Sequence, residues 1–148
     1  MKMILMTTLL AAALGAGTEP AVGTWKLNVA KSKLRTATKS SVATITQAGN
    51  ERTIETHAVT AEGRETHVKS THIFDGKKHP YTGTPANYDS YVAKGSGYTS
   101  VVEYKRAGKV VRTYRATYSK DGKTRTGVAK GVDDKGKAYN DLFVYDRQ

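Results

Sequence analysis

The sequence predicts an all-β protein, a single antiparallel up-and-down meander that closes into a barrel of about eight to ten strands. Three observations carry this expectation. Glycines with the character of turn residues recur at positions 49, 63, 76, 95 and 97, 108, 122 and 136, in settings such as Glu62-Gly63, Asp75-Gly76, Asp121-Gly122 and Lys135-Gly136. Glycine accepts the positive φ that tight hairpin turns demand. The stretches between these turns are rich in Val, Thr, Tyr and Ile, residues that suit a pleated, half-buried surface. Finally, the one tryptophan, in Gly23-Thr24-Trp25, opens the folded part and Tyr145-Asp146-Arg147 closes it. First and last strands that meet would bring an indole and a guanidinium together, a stacking pair at one end of the barrel.

Taken in order, the chain begins with Met1-Lys2 and an apolar run through Leu14, followed by the small residues Gly15 and Ala16. One cation, an apolar stretch and small residues are the pattern of a secretory signal peptide, residues 1–16, cleaved near Ala16. An uncleaved N-terminal anchor is the alternative; no cysteine follows to accept a lipid. Residues 17–148 then form one barrel domain, a length that supports a single core. Strands are predicted at 22–29, 40–48, 51–60, 65–74, 87–94, 98–106, 109–119, 123–132 and 138–146, with a helical turn near Ala30 to Leu34. So many strands joined by short turns would leave two open edges unless the meander closed on itself.

The 148 residues carry 24 Lys and Arg against 13 Asp and Glu, a formal net charge of +11. Removal of residues 1–16 takes away Lys2 and no acid, which leaves about +10. Such a charge attracts polyanions and favours solubility without specifying a fold. The lack of cysteine excludes disulfides, thiolate metal sites and cysteine nucleophiles together.

Turn chemistry also predicts which side chains face inward. Three-residue loops with glycine in the bulge position pair Lys105 with Lys109, Ser119 with Lys123, and Asp133 with Lys137. Even-numbered residues of the last four strands then share the interior, among them Tyr98, Val102, Tyr104, Val110, Tyr114, Ala116, Tyr118, Val128, Leu142 and Val144. A slip of one residue would invert this assignment. On the same register Val102, Arg112, Lys130 and Asn140 lie side by side, next to Tyr104 and Tyr114. Two cations inside a barrel wall are costly unless water or an anion reaches them. Either the lumen takes an acidic head group, with tyrosine hydroxyls as further donors, or the row sits at the barrel mouth and the cations snorkel into solvent.

Several segments together resemble a known family. Gly23-Thr24-Trp25-Lys26-Leu27-Asn28 with Ala30-Lys31-Ser32-Lys33, Asp75-Gly76-Lys77 with Pro80, Gly83 and Pro85, Ser119-Lys120-Asp121-Gly122-Lys123, and Val144-Tyr145-Asp146-Arg147 are similar to motifs of small secreted bacterial lipocalin-like proteins. The resemblance implies a calycin-type β-barrel of lipocalin-like type without an assigned substrate. It departs from classical lipocalins in its short chain, the lack of a disulfide and the lack of a helix after the last strand.

Catalytic motifs are scarce. Gly131-Val132-Asp133-Asp134-Lys135-Gly136-Lys137 has phosphate-loop spacing, but Ala138 stands where a hydroxyl is required and the context is a hairpin. No Gly-x-Ser-x-Gly elbow, His-Glu-x-x-His helix or calcium loop occurs. His57 and His67 fall opposite each other in a predicted hairpin and could share a metal if Glu55 or Glu65 completed the set. An exposed histidine pair is the plainer expectation, so no metal or other cofactor is assigned. His72 has the opposite parity and faces inward with Val68 and Phe74. Basic residues gather largely at hairpin tips, such as Lys77-Lys78 and Lys135-Lys137, and no RNA-recognition motif accompanies them, which makes nucleic acid a poor partner.

The leading expectation is a secreted or periplasmic monomer whose lumen binds a small amphipathic or acidic molecule. Its ligand-binding residues would be Tyr98, Tyr104, Arg112, Tyr114, Tyr118, Lys130, Asn140 and His72. Gly23, Trp25 and Arg147 are read as the structural closure of the barrel. One alternative is a filled structural barrel whose basic tips hold an anionic envelope surface. Another is an isomerase or lyase using His72 or a lumen tyrosine, for which no paired base and orienter is visible.

Overall fold

In the computed structural model, which describes residues 19–148, ten antiparallel strands form one sheet. The segment read as a signal peptide lies outside the described residues. The strands are β1 (Gly23–Leu27), β2 (Thr38–Ala48), β3 (Glu51–Thr60), β4 (Glu65–Ile73), β5 (Lys78–Pro80), β6 (Ser90–Ser96), β7 (Thr99–Arg106), β8 (Lys109–Tyr118), β9 (Thr124–Val132) and β10 (Ala138–Arg147). A short 3₁₀ turn spans Val29–Lys31, where the Asn28 side chain accepts the Lys31 N–H.

Sheet order is β4-β3-β2-β1-β10-β9-β8-β7-β6-β5, so the first and last strands are neighbours and the ring is nearly closed. The seam lies between β4 and β5. It is spanned by Lys69 and Thr84, whose backbones exchange N–H···O bonds of 3.0 and 2.7 Å. β5 was not predicted, because three residues ending in proline carry no alternation that a sequence can show.

Trp25 and Arg147 are register partners across β1 and β10. The indole is fully buried and donates from Nε1 to the Ala21 carbonyl at 2.9 Å. The Arg147 guanidinium lies 4.2 Å from the indole centroid and donates to the carbonyls of Val22, Pro20 and Gly122. Gly23 has a φ of 139°, and a side chain there would strike the same guanidinium. Around this lock a core forms from Leu27, Ala43, Ile45, Ala116, Tyr118 and Tyr145. A second cluster of Tyr91, Ala93 and Val102 packs with Phe74, Tyr81 and Tyr104.

The turns decide the register, and two differ from expectation. Between β7 and β8 the turn is the two residues Ala107 and Gly108, both at positive φ, and a bulge at Tyr104/Lys105 restores even-to-even pairing. Tyr104 therefore pairs with Arg112 and Val102 with Tyr114. Between β8 and β9 the loop holds four residues, Lys120 to Lys123, not three: Ser119 N–H donates to Thr124 O at 2.9 Å. The Asp121 carboxylate fixes this longer loop by accepting from Ser119 Oγ at 2.6 Å and Lys123 N–H at 3.0 Å. Tyr118 then pairs with Arg125, and even residues of β8 meet odd residues of β9. The last turn keeps the predicted pairing of Asp133 with Lys137. The interior of β9 and β10 is consequently the odd set, with Arg125, Gly127, Ala129, Phe143 and Tyr145 inward.

Candidate ligand-binding site

Beyond Arg125, the inward positions of β9 are small. Gly127, Ala129 and Gly131 face the interior where larger side chains from β8 and β10 need room. A methyl group on Gly127 would collide with the Tyr114 hydroxyl, and one on Gly131 with the Val111 carbonyl and the Tyr139 hydroxyl. This strip lets Tyr114 lie across the lumen beneath a cavity of about 260 Å³. Its lining combines the apolar Ile54, Val68 and Phe143 with the phenols of Tyr81, Tyr88, Tyr104, Tyr114 and Tyr145, and Arg112 and Arg125 both reach it.

The two guanidiniums have few partners. Arg112 donates a long hydrogen bond of 3.4 Å to Tyr88 Oη and sits 5.7 and 5.6 Å from the ring centroids of Tyr104 and Tyr114. Arg125, only 4% exposed, donates to Tyr114 Oη at 3.0 Å and lies 4.8 Å from the Tyr145 ring centroid. The Nε of each is buried and without a hydrogen-bond acceptor. Among the described residues, no carboxylate comes within ion-pair distance of either. Guanidiniums stay protonated in proteins. Burial pushes the Tyr114 phenol up to about 12 and raises Tyr104 as well, so these rings are neutral at pH 7 and cannot cancel the charge. The result is a lumen with two positive charges and no negative one.

Below the lumen, Arg52 donates to Gln47 Oε1 at 3.0 Å and stacks 4.3 Å from Phe74. It borders a separate hollow with Tyr118 and the β2–β3 and β6–β7 turns.

The sequence-predicted residues divide accordingly. Tyr104, Arg112 and Tyr114 meet at the cavity. Lys130 and Asn140 do not: both are exposed on the outer face, because the four-residue β8–β9 loop shifts β9 and β10 by one position. Val128, Leu142 and Val144 turn outward for the same reason. Tyr98 is 44% exposed beside the β8–β9 loop, and Tyr118 is buried against Trp25 with ring centroids 5.7 Å apart, away from the cavity. Sequence reasoning missed Arg125, Tyr88 and Phe143. Arg125 and Phe143 were on the face assigned to solvent, and Tyr88 belongs to the irregular connection before β6.

His72 is fully buried but stands behind the cavity wall, caged by Tyr91, Tyr104 and Tyr81 with ring centroids at 4.6, 5.5 and 6.1 Å. Neither ring nitrogen has a partner. Burial, and then the nearby Arg52 charge, pull its pKa from 6.5 down to about 4. Between these values the unfolded chain takes up a proton that the folded one refuses, so stability falls as pH drops from 6.5 toward 4. The loss from pH 7 to pH 5 is expected to be on the order of 2 kcal/mol in urea unfolding. A His72→Gln variant should show a flatter profile over the same range; an unchanged slope would remove the explanation.

The nearly closed ten-stranded meander around this lumen defines a calycin-type, lipocalin-like barrel. No protein-family model and no curated protein sequence matches the chain. Solved structures do. The zebrafish ileal bile acid-binding protein complexed with cholic acid superposes with a TM-score of 0.56, at 10% identity, over 87% of this chain and 99% of its own. The siderocalin Ex-FABP superposes with a TM-score of 0.50, at 15% identity, over 87% of this chain and 74% of its own. At such identities the likeness is one of fold.

Proposed function

We propose that the protein is a small-molecule-binding barrel whose lumen takes a compact amphipathic acid. The observation that carries this reading is the half-buried Arg112 and the buried Arg125 beside one cavity, each with a buried, unsatisfied Nε and no carboxylate partner. An anionic head placed between them would accept charge-assisted hydrogen bonds from both guanidiniums and from the Tyr88 and Tyr114 hydroxyls. The apolar part would lie against Ile54, Val68 and Phe143. Cholic acid, named with the zebrafish barrel, is likewise a carboxylic acid on an apolar body. The cavity here is smaller than most ligand pockets. Its 260 Å³ equals the room of roughly nine liquid waters, which favours a medium-chain or aromatic carboxylate over a steroid. A filled core acting only through basic tips would leave no such space.

Calorimetric titration with octanoate, against octanol as the uncharged control, tests the reading. Octanoate should bind one per chain and octanol much more weakly. Arg112→Leu should lower octanoate affinity by about tenfold to a hundredfold, the worth of a charged hydrogen bond. Equal affinities for acid and alcohol, or an Arg112→Leu variant that binds as wild type, would contradict it.

A further inference from the structure

We infer that the outer face of the β3–β4 hairpin carries a site for a borderline divalent cation of the zinc class, formed by Glu55, His57 and His67. The site lies on the opposite face of the sheet from the lumen and does not depend on the lumen's ligand.

On β3 the even residues Arg52, Ile54 and Thr56 face inward, so Glu55 and His57 share the outer face two positions apart. His57 and His67 are direct register partners, and their rings stack with centroids 4.2 Å apart and planes 9° apart. Both Nε2 atoms point at one oxygen: Glu55 Oε1 is 2.8 Å from His67 Nε2 and 3.6 Å from His57 Nε2. The three donor atoms all lie within 4.8 Å of one another. A tetrahedral ion about 2.1 Å from each donor spaces them about 3.4 Å apart, so side-chain rotation alone brings these three into range.

The donor set specifies the cation. Two imidazoles and one carboxylate suit zinc or copper, whereas calcium and magnesium require mainly oxygen. Strand pairing fixes the two histidines before any ion arrives. Exposure of the three side chains, between 38 and 68%, gives an ion access and leaves a fourth position to water. The opposing charge is Lys69, the register partner of Glu55, which competes for the carboxylate and sets a limit on affinity. The other imidazole–carboxylate contact, His79 with Asp75 at 2.9 Å, offers only two ligands and serves as an internal control.

The test is calorimetric titration of tag-free protein with zinc(II) in a non-chelating buffer, with thermal melts in parallel. One ion per chain should bind saturably and raise the melting temperature by mass action. His57→Ala and His67→Ala should each weaken binding by about tenfold or more, the double variant should abolish it, and His79→Ala should leave it unchanged. His57 and His67 are exposed and His79 is only half-buried, so circular dichroism should show intact folds. Absence of saturable zinc binding to the wild type, or equal affinity in the His57→Ala/His67→Ala variant, would overturn the inference.

Discussion

Replacing Trp25 with alanine is expected to destabilise the protein by about 3–5 kcal/mol, the range for truncating a large buried aromatic side chain. The whole indole is removed from water. It contacts Tyr118 at a 5.7 Å centroid distance, and the Arg147 guanidinium covers it at 4.2 Å. Truncation would therefore open a cavity between the first and last strands and strip a guanidinium of its aromatic face as well. Urea unfolding monitored by circular dichroism measures this directly. A loss below about 1 kcal/mol would show that the site collapses around the gap, and that Arg147's bonds to the Val22, Pro20 and Gly122 carbonyls hold the closure alone.

The second large effect has the opposite sign. Arg125→Met should raise the stability of the ligand-free protein by about 1–4 kcal/mol, as apolar replacement of buried charged groups often does. Methionine follows the arginine stem and offers a thioether to the Tyr145 ring in place of the guanidinium, while the desolvated charge and its unsatisfied Nε disappear. The same change should lower octanoate affinity at least as much as Arg112→Leu, because Arg125 is the more deeply buried donor at the cavity. A variant that is both more stable and unable to bind would identify a cation kept for its ligand at a cost to the fold. If Arg125→Met proves less stable than wild type, the guanidinium is serving the core through Tyr114, and the lumen reading loses one of its two anion donors.

The architecture was legible because its signals are local. Positive-φ glycines at 49, 63, 97, 108, 122 and 136 mark six hairpin turns, and β-rich segments lie between them. Trp25 and Arg147 are named by their places near the two ends of the folded chain, and the sheet order makes them neighbours. The site was legible only in part. Sequence parity put Tyr104, Arg112 and Tyr114 in the lumen, since the β7–β8 bulge cancels the shorter turn. One additional residue in the β8–β9 loop exchanged Lys130 and Asn140 for Arg125 and Phe143. Asp121 can cap loops of three or four residues with the same hydrogen-bonding chemistry, so the sequence does not show the difference. The outer cluster was readable to the extent that His57 faces His67; the convergence of Glu55 on both needed side-chain geometry.

The sheet order also has a kinetic meaning. Every strand pairing except one joins consecutive strands, so the chain is two ribbons, β1 to β4 and β5 to β10, each able to zip up from local turns. Among the strand pairings of the described residues, only that of β1 with β10 joins distant parts of the sequence, and Trp25 to Arg147 closes a loop of more than a hundred residues. The entropy of that closure must be met before its contacts reward it. Barrel formation thus divides into fast hairpin growth and one slow circularisation. The indole–guanidinium clasp forms in that long-range step, so Trp25→Ala is expected to change the rates of ring closing and opening in denaturant-jump kinetics and to leave hairpin growth unaffected.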